Sequence, residues 1–560
     1  MSYQPAQAMA EWPLALHLML FHLRIVVSAI SGLPSPIPAA CSCFRILFLV
    51  YYFRCRELEF TSLKKAEQTD GRIFQEETFM KAMRHLFLTL VIAFTITTAF
   101  QASAGEVKQI KPLPVSPEGA ITSELMKRIE STLPADNRTK SSINAVTPNG
   151  ITTLVVNREM VNRHTNYYSN KIDSGKITNQ KASGRCWLFA SLNMLRQPLL
   201  KKFNVSDFEF SENYLTFWDK MEKANFFLEA IIATSPRDIK DKTVTQLLKE
   251  PFEDGGQWNY TVALIKKYGV IPKYAMEESY HSSNTAIMDK VMGSLLRKDA
   301  SLLRKMHKEG KSEKDQRKRK EAMLVEVYRV MSYCLGTPPS SFEWRYEDKG
   351  KKVSEPRKYT PIQFYQTVLG SVLDDYVFFY SCPTWPFNKL YTIDLDRDMV
   401  EAQSMTFINI EVPEMKEIAR KSVLGGDLVW FGCDSGKDLE KETGIMSKDI
   451  MDYGSLFDID LFMNKEDRVL YRDSTPTHAM VISGVDIVDG KVRKWLIENS
   501  WSKERGDGGY FSMYDNWFDE YVYALVANKK YVSPATLELL KTQPVVLPED
   551  DPMRDYLRIF

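Results

Sequence analysis

Cysteine is scarce in this sequence: seven in 560 residues, too few to staple a fold with disulfides. An excess of one charge sign is also missing. The 73 Lys+Arg stand against 72 Asp+Glu, and a net charge of +1 supplies no global field for nucleic acid, although a local basic patch would not show in that sum. Clean long apolar runs are absent from the extreme N-terminus. Residues 14–30 are interrupted by His17, His22 and Arg24, and residues 44–53 are short and carry Arg45. Neither reaches the ~20 apolar residues that a membrane-spanning helix needs. No Cys/His cluster has metal-ligand spacing and no internal repeat is visible, so no metal and no organic cofactor is expected. What is present is an ordinary globular composition, 44% hydrophobic and 26% charged. At about 150 residues per domain it has room for about three domains or one elaborated enzyme.

A third apolar stretch is different. Met80-Lys81-Ala82-Met83-Arg84 precedes the mostly apolar residues 86–100, followed by Ala102-Ser103-Ala104-Gly105. A basic segment, an apolar segment and a small-x-small site in that order make a secretory signal peptide. A spanning helix is the alternative, but the stretch is short and diluted by threonines. The expectation is translation from Met80 or Met83, with 1–79 as mis-assigned upstream sequence, 80–104 as signal peptide and a mature chain from about Gly105. That places the protein in the periplasm or outside the cell with no membrane attachment, or in the cytoplasm if the signal is not used.

Beyond it, residues 105–150 are polar and proline-punctuated and read as a surface arm. Apolar periodicity predicts a helix from Cys186 to about Phe203, and further helices over 212–232, 257–269 and 284–335. The mixed-sign run at 297–320 is ordinarily a solvated helix or hairpin, and nucleic acid is not expected as a partner. Strands come late. Residues 477–487 and 493–500 flank the turn signal Asp489-Gly490, and two more strands are read at 510–514 and 521–527. Helices first and an antiparallel sheet afterwards is an α+β order.

One loop carries unusual chemistry. Asn179-Gln180-Lys181-Ala182-Ser183-Gly184-Arg185-Cys186-Trp187 delivers a cysteine onto the first turn of a helix. Unpaired N–H groups and the helix dipole there stabilise a thiolate, and with the Gln180 amide they can receive an oxyanion. A cysteine in that place is also, often, just a small buried hydrophobe. A nucleophilic thiol needs a base. Of His164, His281, His307 and His478, only His478 opens a buried-looking strand. Asn499, on the neighbouring strand, can orient its imidazole, with Trp501 available as a shield.

These residues resemble the papain-like cysteine peptidases: Gln180, Gly184-Arg185-Cys186-Trp187, Thr477-His478-Ala479-Met480, Glu498-Asn499-Ser500-Trp501 and Gly508-Gly509-Tyr510-Phe511. Within that group, the stretch 179–190, Asp254-Gly255-Gly256-Gln257-Trp258, 267–272 and 429–434 are similar to the bleomycin hydrolase/aminopeptidase C branch. The resemblance covers nearly all of 150–553. It implies a helical subdomain with the nucleophile (151–283), a mainly helical insertion (284–420), a β-barrel subdomain with His478 and Asn499 (421–535) and a C-terminal arm (536–560).

It further implies Cys186 as nucleophile, His478 as base and then acid, Asn499 as orienter and Gln180 as oxyanion-hole donor. Gly255 and Gly256 would pair with substrate backbone, although a simple turn is an equal reading. Ser183 and Glu253 stand where secreted relatives carry a disulfide, so Cys334, Cys382 and Cys433 are read as free thiols. The implied activity is that of a cysteine aminopeptidase acting on peptides, as a homohexamer. An arm carboxylate, or Asp550 or Asp551, would meet the substrate's α-ammonium. The alternatives are a papain-like endopeptidase and a non-catalytic peptide- or nucleic-acid-binding relative. The arm continues past Met553 with Arg554-Asp555-Tyr556-Leu557-Arg558-Ile559-Phe560, longer and bulkier than the branch implies.

Overall fold

A computed structural model describes residues 113–547 and Asp551. Residues 1–79, the signal-peptide segment 80–104 and Asp550 lie outside the described residues. The chain divides into two compact units between Lys127 and Arg128. The described part of the first holds the short turn Pro117–Gly119, capped by Ser116, and the start of a helix, Ser123–Glu130; none of it is buried. The second unit holds everything else. Its first helix, Asn137–Val146, is capped by Asp136, which accepts the Thr139 N–H at 2.7 Å, and it too buries no residue.

The central helix α1 (Cys186–Phe203) is apolar nearly all round and is buried along almost its whole length. Such a helix has to lie inside a core. Around it pack α2 (Glu212–Ala233), capped by Ser211, and α3 (Trp258–Tyr268). Gly269 ends α3 at φ +76°, and a Cβ there would fall 2.2 Å from the carbonyl carbon of Pro361. Only glycine fits.

The stretch expected as one helical run at 284–335 is two helices, α4 (Ala286–Lys308) and α5 (Glu313–Leu335). Gly310 at φ +76° turns the chain, and Ser312 and Asp315 form a capping box that starts α5. The charge run straddles this turn and makes ion pairs: Lys320 and Arg317 meet Glu229, and Lys298 meets Glu326. That is the hairpin reading of the run.

Between α5 and the helix Val412–Leu424 the stretch is not continuously helical. After α5 come a small hairpin (Phe342–Trp344 with Arg357–Tyr359) and a helix, Pro361–Val368. Then β1 (Tyr376–Tyr380), β2 (Lys389–Ile393) and β3 (Thr406–Asn409) join the main sheet. These are short apolar runs covered on both faces, which periodicity alone does not separate from buried helix.

The remaining main strands are β4 (Val429–Cys433), β5 (His478–Val488), β6 (Lys491–Glu498), β7 (Tyr510–Tyr514) and β8 (Val522–Asn528). The order across the sheet is β2-β3-β1-β8-β4-β5-β6-β7, mostly antiparallel. The predicted turn between β5 and β6 is present, with Asp489 and Gly490 both at positive φ. Along β5 alternate residues serve two cores. Ala479 and Val481 pack with the helices around α1, while Met480 and Ile482 pack against the helix Val412–Leu424. Among the described residues, Cys186, Cys334, Cys382 and Cys433 are all free thiols. Mixed helix and antiparallel sheet in this order make an α+β fold.

Candidate active site

Cys186 is the first residue of α1, and its sulfur meets the N–H groups of Cys186, Trp187 and, from β5, Ala479. Burial pushes the thiol up to about 11, and these donors oppose that by favouring the thiolate. Arg185, just before it, caps the helix with backbone only, its carbonyl accepting the N–H groups of Leu188 and Phe189. Its guanidinium is buried against Glu278 at 2.8 Å.

His478 opens β5 and Asn499 directly follows β6. In an antiparallel hairpin the start of one strand lies beside the end of the next, and this closes a gap of 21 residues to a hydrogen bond of 2.8 Å between His478 Nε2 and Asn499 Oδ1. The same Oδ1 accepts the Ser500 backbone N–H at 2.8 Å, so this atom is the amide oxygen. Nε2 therefore carries the proton and Nδ1 is left as the base. Trp501 stacks on the imidazole at 4.6 Å and 27° and covers that bond. Burial pushes His478 down to about 4, against the Asn499 hydrogen bond, which raises it.

Cys186 and His478 border one cleft of about 540 Å³, along with Gln180 and Trp501. Gln180 is anchored at both ends of its amide. Oε1 accepts the Ser500 hydroxyl at 2.7 Å, and Nε2 donates to the Ser183 carbonyl at 2.7 Å, which leaves a second N–H. Gly255 and Gly256 line a small second cavity that also touches Cys186 and His478. Gly256 has a packing reason as well, because a Cβ would come 2.5 Å from the Trp187 indole. Asp551 is buried and close enough to Cys382 to affect that thiol, and it borders neither cavity beside Cys186.

Sequence reasoning missed the group that holds the nucleophile loop. Buried Asp254 accepts the Gly184 N–H at 2.7 Å and the Thr285 hydroxyl, and pairs with Lys220 at 2.8 Å. Lys220 also meets Asp289 at 2.9 Å. Against the cost of burial, Lys220 holds Asp254 well below the carboxylate range, while burial pushes Asp289 up to about 6. No local pattern marks these residues; the one hint was that Asp254 adjoins the glycine pair. A thiol among N–H donors, beside an imidazole of fixed tautomer and a fixed amide donor, can attack a carbonyl and hold the resulting oxyanion.

A helix-borne cysteine facing a strand-borne His–Asn pair across a cleft defines a papain-like cysteine peptidase. The Peptidase C1-like family model matches residues 120–554. Aminopeptidase C of Lactococcus lactis subsp. cremoris is 37% identical over 439 residues, covering 77% of this chain and 99% of that protein. Aminopeptidase C of Listeria innocua is 39% identical, covering 74% of this chain and 92% of its own length. Rat bleomycin hydrolase is 38% identical, covering 67% of this chain and 85% of its own. The crystal structure of PepW from Lactobacillus rhamnosis HN001 superposes with a TM-score of 0.76 at 38% identity, covering 78% of this chain and 99% of that one. The chain belongs to the Peptidase C1-like family.

Proposed function

We propose that this protein is a cysteine-type aminopeptidase, with Cys186 as nucleophile, His478 as base and then acid, Asn499 as orienter and Gln180 as oxyanion donor. The observation that carries the reading is the shared cleft, bordered by the buried thiol of Cys186 and by His478, whose Nε2 is held by Asn499. Burial opposes a lone thiolate and a lone imidazolium alike. A proton passing from Sγ to Nδ1 creates both together, and their attraction offsets that penalty.

Sγ attacks the carbonyl carbon as Nδ1 takes its proton, and the oxyanion is received by the Cys186 N–H and the free Gln180 N–H. Collapse returns the proton from Nδ1 to the leaving amine and leaves a thioester. Water, deprotonated by Nδ1, then releases the acid and the thiol.

Restriction to free N-termini is assigned to the arm, whose Val545–Leu547 runs parallel to β2 and whose Asp551 is buried. An arm carboxylate or Asp550 would meet the substrate's ammonium, since Asp551 borders neither cavity beside Cys186. A thiol-directed epoxide should label Cys186 alone, and Cys186→Ser should lower turnover at least about 10³-fold with the melting temperature unchanged. Deleting the residues after Pro548 should admit N-terminally blocked peptides; an unchanged product pattern rules the arm out.

Two further parts belong to the proposal. Residues 80–104 act as a signal peptide, on the order of basic, apolar and small-residue segments from Lys81 to Ala104, and N-terminal sequencing of the natural product tests it. The mature chain assembles as a homohexamer, with the exposed Ile287 and Val291 of α4 and Tyr333 of α5 as candidate contacts, and light scattering checks the mass.

A further inference from the structure

The wall of the cleft beside His478 and Trp501 carries two exposed lysines, Lys441 and Lys181. The Lys441 ammonium sits 5.6 Å from the Trp501 ring centroid, over the same ring that stacks on the imidazole, and its charge opposes protonation of His478. Lys181 follows the anchored Gln180. It is held at φ +55°, its N–H donating to Asn179 Oδ1 at 2.9 Å. A non-glycine residue in the left-handed region is uncommon, and here it sets a long cation at the cleft rim.

The nearby carboxylates are engaged elsewhere. Asp289, across the cleft, pairs with buried Lys220. Glu504, within electrostatic range of Lys181, accepts the Ser502 hydroxyl, and Glu442 pairs with Arg505. Among the described residues, neither cleft lysine ends in an ion pair.

The leaving amine has to take its proton from His478, so the first residue of the leaving group lies against this wall. We propose that the Lys441–Lys181 wall selects leaving groups whose first residue carries a carboxylate. It would be either the α-carboxylate of a dipeptide or the side chain of Asp or Glu in a longer peptide. The inference rests on the aminopeptidase reading and names the substrate class for the same site. Lys441 is the principal contact, because its ammonium rests over the Trp501 ring that also stacks on the imidazole.

The test compares kcat/KM for Ala-Asp-amide against Ala-Asn-amide, and for Ala-Gly against Ala-Gly-amide, at low salt. Wild type should favour the carboxylate member about fivefold, and the ratio should fall toward one in Lys441→Met, less so in Lys181→Gln, and in about 0.5 M salt. A preference in the first pair alone assigns the side-chain carboxylate, and in the second alone the α-carboxylate. Lys441→Met should also move the acid limb of the pH profile upward, because it removes a charge that disfavours the imidazolium. Equal rates within both pairs, or ratios indifferent to Lys441→Met, overturn the proposal. Turnover of an alanyl-coumarin amide, whose leaving group is uncharged, keeps the two readings apart: turnover there with flat ratios sinks only the lysine wall, whereas no turnover there sinks the aminopeptidase.

Discussion

The two walls of the cleft are held by different forces. The nucleophile wall is a loop pinned by buried charges, with Gly184 on Asp254, Asp254 on Lys220 and Arg185 on Glu278. The base wall is a backbone ladder, in which β5 is paired on both sides by β4 and β6 and His478 lies opposite Cys433. Charges concentrate the restraint in a few side chains, whereas a ladder spreads it over many equivalent bonds. The nucleophile wall is therefore the one that single substitutions can collapse.

The largest effect should come from Asp254→Ala. It leaves the buried Lys220 ammonium with Asp289 as its one remaining ion-pair partner and frees the Gly184 N–H, so denaturant unfolding should show a loss of about 3 kcal/mol or more. Asp254→Ala combined with Lys220→Met should recover much of that loss, since both charges then go. If the double variant is no more stable than the single, the charge account of this wall is wrong.

On the base wall, the expected effect is one of pH. The native state keeps His478 neutral down to about 4, whereas the unfolded chain protonates it near the ordinary value of 6.5. This contribution is complete above 6.5 and is lost as pH falls to about 4, a change of about 3 kcal/mol. His478→Gln should flatten that part of the stability–pH curve. An identical slope in the variant would assign the acid lability to other groups.

The smallest effect should come where the walls share packing. Gly256→Ala pushes a methyl against the Trp187 indole, and overpacking of this kind costs about 1–3 kcal/mol. If the glycine serves only packing, peptide KM should stay fixed while stability drops. A rise in KM as well would give Gly256 the substrate-pairing role.

Much of the site was legible in the sequence because its signals are local. Cys186 is announced by a glycine loop running into an apolar helix, and His478 and Asn499 by two strands around Asp489-Gly490, whose pairing brings strand start to strand end. The turn at Gly310 was less visible, since the charged residues around it suit either a helix or a hairpin. The strands β1–β3 were hidden for a different reason: Val377, Phe378 and Phe379 are all buried, and without alternation their period carries no message. Asp254, Lys220 and Asp289 were not legible as a group. Their meeting depends on α2 and α4 packing side by side with the glycine-pair loop, and no short-range rule encodes that.

By itself the sequence determined where α1 and β5 begin, which cysteine heads a helix and which histidine heads a strand, because turn geometry and apolar spacing act over a few residues. Only the tertiary structure decided that Cys186 and His478 share a cleft, that the Asn499 oxygen accepts the Nε2 N–H and leaves Nδ1 without a proton, and that buried charges rather than glycine alone shape the loop before Cys186. Those outcomes depend on burial and on contacts between distant segments, which come into being when the helices close against the sheet.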